Sequence, residues 1–326
     1  MDKEAVARPR IRPAPLDPCR RRHWRSTASK RRVIDSIRSL PDGKNFYLVK
    51  WFMDPHWPYL PEERFRPPKP ESLPLKTKFY AQLRNFIGKK LPPDQMQFTR
   101  DLYAGEVASV DDRVGRILDA LRERELLEKT FVIFTSDHGD EFRDHRGWGH
   151  GSSYFQELVH IPMIIMGPGI EKGRVIEQRL SHLDLMPTLS ELLGLEYQGN
   201  FQGESYAPLL LDPIRQKDRL IYLSGEHKMR LDVSDAVVLG DHKLILSRDS
   251  KGTTLYDLES DPDETVDTAD ELPKLTKHLN RQLHAVCQEN RAKKQQVEEV
   301  RRSSNDRLGD EEDETLRALK AIGYVE

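Results

Sequence analysis

Three short stretches of this 326-residue chain carry residue types that could do chemistry together. The apolar run Phe131–Phe134 ends in Thr135-Ser136-Asp137-His138-Gly139, and Gly149-His150-Gly151 follows soon after. A carboxylate beside an imidazole suits a divalent cation such as Ca²⁺, Mn²⁺ or Zn²⁺. Neighbouring residues on an extended strand face opposite ways, so the chain must turn at Gly139 before Asp137 and His138 can reach one centre. His150, and His56 within Asp54-Pro55-His56-Trp57-Pro58-Tyr59, could donate a proton to a leaving oxygen or hydrogen-bond an oxyanion. Two ligands do not complete a coordination shell, so further donors must come from elsewhere. Asp-His-Gly alone is a common tripeptide. Strand, Asp-His-Gly, Gly-His-Gly and strand between Phe131 and Pro168 is a far more specific pattern.

The elements that must position these groups follow from apolar patterning. Phe131–Phe134 and Ile161–Met166 are rich in β-branched and aromatic residues and do not alternate with polar ones. That predicts strands buried on both faces, as in a parallel sheet covered by helices, where chemistry collects beyond the carboxyl ends of the strands. Phe46–Met53 reads as another buried strand, stopped by prolines that present His56 at the same kind of edge. Four side chains, His56, Asp137, His138 and His150, are thus expected at one rim. Phe98–Leu127 has the spacing of an amphipathic helix, with Leu102, Val107, Val110, Val114, Ile117, Leu118 and Leu121 as its apolar face and Asp111 and Asp112 on a solvated one. Ser181–Leu189 reads as a helix start with Asp184 as N-cap and Gly194 as its stop, and His182 there reads as a structural histidine. From Leu220 to Tyr256 short strands separated by turn residues predict an antiparallel meander, followed by a helix with Leu272, Leu275, Leu279 and Leu283 in one stripe.

The expected fold is therefore α/β: a mostly parallel sheet with helices on both faces, plus a small C-terminal antiparallel sheet. Its parts are a basic irregular leader over 1–43, an α/β core over 44–215, the antiparallel subdomain over 216–265 and a charged helical tail over 266–326. Charged residues make up 33% of the chain and hydrophobic ones 37%, so part of it lies outside any core. The net charge of −2 argues against a nucleic-acid partner. Only Cys19 and Cys287 are present, which excludes a disulfide framework and a cysteine metal site. No run has the roughly 20 apolar residues of a membrane span. The first residues lack the apolar region of a secretory signal, so the chain as written reads as cytoplasmic.

Five blocks, FYLVKWFMDPHWPY, FVIFTSDHGDEF, GHGSSYFQELVHIPMIIMGPG, LSHLDLMPTLSELLG and LYDLESDPDE, resemble successive blocks of the sulfatases, in the alkaline phosphatase superfamily. The resemblance implies hydrolysis of sulfate esters, on a small molecule or a glycan, at a divalent metal, with Ca²⁺ foremost. By motif position Asp137 and His138 match two metal ligands. His56 matches the histidine that contacts the sulfate or its leaving oxygen, and His150 stands where the family has a lysine or histidine on the sulfate. A histidine there is expected to be neutral much of the time near pH 7, weakening the anion contact. Two family blocks have no counterpart: the strand ending in two metal-binding aspartates, and the Cys-x-Pro/Ala-x-Arg block whose cysteine becomes the formylglycine nucleophile. Cys19, in Cys-Arg-Arg-Arg-His, does not fit the latter. The chain therefore reads as a truncated sulfatase with impaired turnover. The alternatives are a non-catalytic remnant or interaction protein, and a phosphodiesterase or phosphonate monoester hydrolase of the same superfamily.

Overall fold

The computed structural model describes residues 27–73, 91–151, 153–196, 201–212, 218–225, 233–247 and 252–305. Cys19 and the turn residues Ser250 and Lys251 lie outside the described residues. Helices and strands follow in the order α1 (Thr27–Arg38), α2 (Pro93–Glu123), β1 (Val132–Thr135), β2 (Glu141–Phe142), β3 (Trp148–Gly149), α3 (Gln156–Val159), β4 (Met163–Met166), α4 (Leu185–Leu192), α5 (Ala207–Leu211), β5 (Ile221–Ser224), β6 (Val233–Leu239), β7 (His242–Ser247), β8 (Thr253–Asp257) and α6 (Pro273–Asn305). The chain divides into two units, one holding residues up to Thr135 with Met163–Lys172, the other Ser136–Pro162 with Gly173 onward. Among the described residues no helix is long and apolar enough to cross a membrane.

In the first unit α1 and α2 pack through apolar stripes. Val33, Ile34 and Ile37 recur at helical spacing in the basic leader and meet Ala120, Leu121 and Leu127. Arg124 closes the end of α1, its guanidinium donating to the carbonyls of Ile37 (3.1 Å) and Leu40 (2.9 Å) and pairing with Asp42. Helix α2 begins at Pro93, an N1 residue that needs no N–H there, and buries Phe98, Leu102, Val110 and Leu121. Val107, expected on the buried face, is instead exposed.

Two expectations fail in this unit. Strands β1 and β4 pair antiparallel, Val132 opposite Met166 through Thr135 opposite Met163, and no parallel pair occurs among the described residues. An unbroken apolar run reports burial, not strand direction, and even the burial is incomplete here, since Ile164 is 61% exposed. The second failure is Phe46–Met53. Residues 44–53 are not part of any described strand, and Tyr47, Val49, Trp51 and Met53 face solvent while Phe46 joins the α1–α2 cluster. One face of the segment found an apolar neighbour, but no described strand completes a ladder beside it.

In the second unit the meander forms a four-stranded antiparallel sheet in the order β5-β6-β7-β8. Leu239 and His242 pair across Gly240-Asp241, and Gly240 takes the positive φ (56°) that such a tight turn needs. Both faces are covered. Val237, Leu244 and Leu255 pack on Leu279 and Leu283 of α6, while Ala236, Val238, Ile245 and Tyr256 pack on Tyr154 and Phe155. The second face also carries a buried ion pair: Lys243 and Glu264, neither side chain accessible to solvent, lie 2.6 Å apart. Before this sheet, Asp184 holds the N-cap position of α4 as expected but its side chain makes no cap bond there, and Ser181 caps the turn His182–Asp184 that leads into it. Its hydroxyl accepts from Leu183 N–H, and the Asp184 carboxylate reaches back to Ser181 N–H (2.8 Å) and forward to Glu204 N–H (3.0 Å). Ser181 and Asp184 stand three residues apart, the spacing of a capping box, which uses both side chains. Gly194, at φ 61°, ends α4 as expected.

Candidate functional site

Asp137, His138 and His150 all belong to the second unit, and local chain geometry explains their grouping. Strand β1 ends at Thr135, and the chain turns at once. Gly139 N–H donates to the Leu158 carbonyl (2.9 Å), and a Cβ on Gly139 would collide with the Glu157 carbonyl oxygen. Only glycine allows this approach, which lets the two residues before it share a direction. His138 N–H donates to Asp137 Oδ1 (3.0 Å), and the other Asp137 oxygen lies 3.6 Å from His138 Nε2. His138 Nδ1 donates to the Gly139 carbonyl (2.8 Å), so in the neutral ring the lone pair is on Nε2.

His150 arrives on the β2–β3 hairpin. Glu141 pairs with Gly149, so the next rung outward sets Asp140 opposite His150. His150 Nδ1 donates to Asp140 Oδ1 at 2.8 Å. The His150 and His138 rings lie 4.1 Å apart at 31°. Asp140 is nearly buried, whereas Asp137, His138 and His150 keep about a third or more of their side-chain surface exposed. The hydrogen bond to Asp140 raises the His150 pKa against the opposing effect of burial, and the charges of Asp140 and Asp137 add to it. The direction is toward the charged form, opposite to the weakened anion contact expected at this position. Asp140 is the site residue that the sequence reading missed. Its role comes from standing opposite His150 across a hairpin with strands of only two residues, which no local pattern marks. His182 is a second neighbour: burial lowers its pKa while the charge of Asp137 opposes the shift.

The hairpin is held by its own carboxylate. Glu141, 1% exposed, accepts from His145 N–H (3.0 Å) and from Gly147 N–H, and a Cβ on Gly147 would collide with that carboxylate. His145 in turn stacks on Phe155 with ring centroids 3.6 Å apart, donates to Glu157 (2.8 Å) and reaches the Asp263 carbonyl (2.9 Å). A groove of about 590 Å³ beside it is lined by Asp144, His145, Gln156, Glu157, His160, Pro262, Asp263 and Thr265, and takes in none of the expected site residues. Burial alone would lower the His145 pKa, but the hydrogen bond and charge of Glu157, with the carbonyls of Glu264 and Asp263, raise it. A histidine whose pKa is raised on folding stabilises fully below about 6.5 and loses that stabilisation as pH rises through the folded value. His145→Gln is thus expected to cost about 1–2 kcal/mol at pH 6 and clearly less at pH 8. Urea unfolding at both pH values reads this out, and an equal cost at both would show that the charge on His145 contributes nothing.

His56 belongs to the first unit and is fixed there by the loop around it. Asp54 and Glu62 are both held by Arg113 of α2 (2.6 and 3.2 Å), and buried Glu106 accepts from Leu60 N–H. Tyr59 packs edge-on against Tyr103. His56 Nδ1 donates to the Trp57 carbonyl (2.6 Å), which in the neutral ring puts the lone pair on Nε2, as an acid/base residue requires. Asp112 is part of an ion-pair cluster with Arg64 and Arg116, in keeping with a solvated face.

Human arylsulfatase K is 29% identical over 217 residues, which are 64% of this chain and 40% of that protein, so the chain spans under half the length of this relative. Among solved structures, the yidJ protein of Bacteroides fragilis superposes with a TM-score of 0.64 at 24% identity, covering 80% of this chain and 58% of its own. BT4656, solved in complex with its substrate D-glucosamine-2-N,6-O-disulfate, gives a TM-score of 0.51 at 25% identity, over 64% of this chain and 45% of its own. The C-terminal family model of N-sulphoglucosamine sulphohydrolase matches residues 145–292. The Sulfatase family model matches residues 6–195, which include all four expected site residues, and the chain belongs to the sulfatase family.

Proposed function

We propose that this chain is a sulfatase-type hydrolase acting on sulfate esters, with Asp137 and His138 as metal ligands and His150 and His56 as the groups that handle the sulfate and its leaving oxygen. The observation that carries this reading is the turn at Gly139, which puts a carboxylate oxygen 3.6 Å from an imidazole nitrogen, with a second imidazole alongside. That separation fits two donors on one divalent cation, and the oxygen donor favours Ca²⁺. A bound cation would supply charge to polarise a sulfate oxygen. The chain's own residues do the rest. Asp140 fixes the ring orientation of His150, and Glu141 holds the hairpin that carries it. His56, with its lone pair on Nε2, is suited when protonated to supply a proton to the departing alkoxide or phenoxide. A sulfated sugar is the natural substrate class, because BT4656, which superposes on this chain, takes a sulfated glucosamine.

Turnover by this polypeptide is expected to be slow, since the only described cysteine, Cys287, is packed on the sheet face covered by α6, with no place among these residues. The test is a single-turnover assay of an aryl sulfate against a phosphate diester and a phosphonate monoester, with Ca²⁺ present. Preference for the sulfate ester supports the proposal. Preference for either phosphorus ester moves the chain to that chemistry, and no reaction with any of the three leaves it a non-catalytic family member.

A further inference from the structure

We infer that the solvent-facing side of α6 is a docking surface for a linear sulfated polysaccharide, remote from Asp137, His138 and His150. The surface is read from α6 itself, and the identity of the anion rests on the sulfatase reading. Helix α6 turns Leu275, Leu279 and Leu283 onto the antiparallel sheet. Residues three, four and seven apart share a helix face. The face opposite the apolar stripe carries Lys274, Lys277, His278, Arg281, His284 and Arg291, all exposed. At 1.5 Å per residue, Lys277 and Arg291 stand about 21 Å apart along the axis. Glu289 is the only acidic residue between Lys274 and Arg291 in the sequence, and it pairs with Lys293 (2.7 Å). Among the described residues none of Lys274, Lys277, Arg281 and Arg291 makes an ion pair.

Like charges at this spacing, such as Lys277 with Lys274 and with Arg281, repel and weaken the helix that carries them. In a chain of net charge −2 they concentrate positive potential on one surface, which attracts a polyanion. A line of cations, as opposed to a pocket, fits an extended polymer. A membrane fits less well, because the apolar stripe that would enter the headgroup region is covered by the sheet. Nucleic acid also fits less well, because no Phe, Tyr or Trp stands among these cations to stack on a base. The sheet lies between α6 and Tyr154 and Phe155, which cover its other face. The stripe therefore acts by holding a long substrate close to the chain, which raises its effective concentration without touching the reacting ester.

Calorimetric titration of the full chain with heparin, at about 50 and 200 mM salt, tests the surface without any need for activity. Lys277→Gln/Arg281→Gln/Arg291→Gln is expected to bind at least about 10-fold more weakly than the parent and with a shallower salt dependence, since fewer counterions are released. Lys44→Gln/Lys129→Gln/Lys172→Gln removes the same charge from other exposed positions and is expected to bind as the parent does. Thermal melts confirm folding, and Arg281→Gln alone, expected to bind about 3-fold more weakly, keeps the test open if the triple variant does not fold. Unchanged affinity in the α6 variants, or equal losses in the two triple variants, would overturn the proposal. So would desulfated heparin binding as tightly as heparin, or tighter binding of an RNA oligomer or of phosphatidylserine vesicles. In an active chain the α6 triple variant should raise KM for a sulfated polysaccharide and leave aryl sulfate turnover unchanged. A chain that holds heparin on α6 yet hydrolyses no ester refutes the sulfatase function and leaves the docking surface standing.

Discussion

Lys243→Met is expected to destabilise the second unit by about 3–5 kcal/mol, the usual cost of removing one partner of a fully buried ion pair. Lys243 stands on β7 and Glu264 on the loop after β8, and both side chains are inaccessible to solvent. Burial lowers the lysine pKa and raises that of the glutamate, each shift being opposed by the partner's charge. Glu264 also accepts from Gln156 N–H (2.6 Å), and Lys243 donates to the Gln156 side-chain oxygen (3.3 Å). The pair thus ties the sheet to the first turn of α3. That same turn supplies the carbonyls packed on Gly139 and the carboxylate that holds His145.

With Lys243 gone, Glu264 is left as an uncompensated buried carboxylate whose folded pKa lies further above its unfolded value of about 4.3. A carboxyl with a raised folded pKa favours the folded state below that unfolded value and loses the contribution as pH rises through the folded one. The deficit of Lys243→Met relative to the parent should therefore be largest near pH 8 and shrink toward pH 5. The double variant Lys243→Met/Glu264→Gln should recover much of it at neutral pH. Denaturant titrations of the three proteins measure this, and a double variant no more stable than the single one would mean that the ion pair is not the origin of the loss.

This pair also shows what a sequence does and does not disclose. Nothing in the pattern of His242–Ser247 marks Lys243 as inward-facing, because alternation puts it on the face with Ile245 and the other face is apolar as well. A sheet covered on both sides has no polar side by which to judge register. The meander itself was readable, since Gly-Asp turns and apolar runs are local signals. The grouping of Asp137 with His138 was also readable from the glycine that follows them. Asp140 was not, because its role comes from a cross-strand pairing in a hairpin whose strands are only two residues long. Strand direction was the weakest inference of all. Phe131–Phe134 and Ile161–Met166 have strand composition, yet which way they run depends on the chain between them. Phe46–Met53 has the same composition and forms no ladder with any described strand.

Asp137→Ala is expected to lower sulfate-ester turnover by about 10²–10³-fold, the usual effect of removing one fixed electrostatic contributor to a transition state. The carboxylate does two things that the substitution separates. It offers an anionic oxygen to a cation, and it accepts the His138 N–H (3.0 Å) that shapes the turn before Gly139. Asp137→Asn keeps the second role and weakens the first. If the cation is what matters, Asn should be nearly as impaired as Ala, and millimolar Ca²⁺ should raise the melting temperature of the parent but of neither variant. If the turn is what matters, Asn should retain most of the turnover while Ala alone loses it. His56→Ala provides a contrast, since a group that protonates the leaving oxygen should matter less as the leaving group becomes more acidic. Its deficit should therefore be small with a nitrophenyl sulfate and large with an alkyl or sugar sulfate, whereas the Asp137→Ala deficit should be similar for both. A His56→Ala deficit that does not depend on the leaving group would remove His56 from the proton-donating role and leave the assigned chemistry to Asp137, His138 and His150.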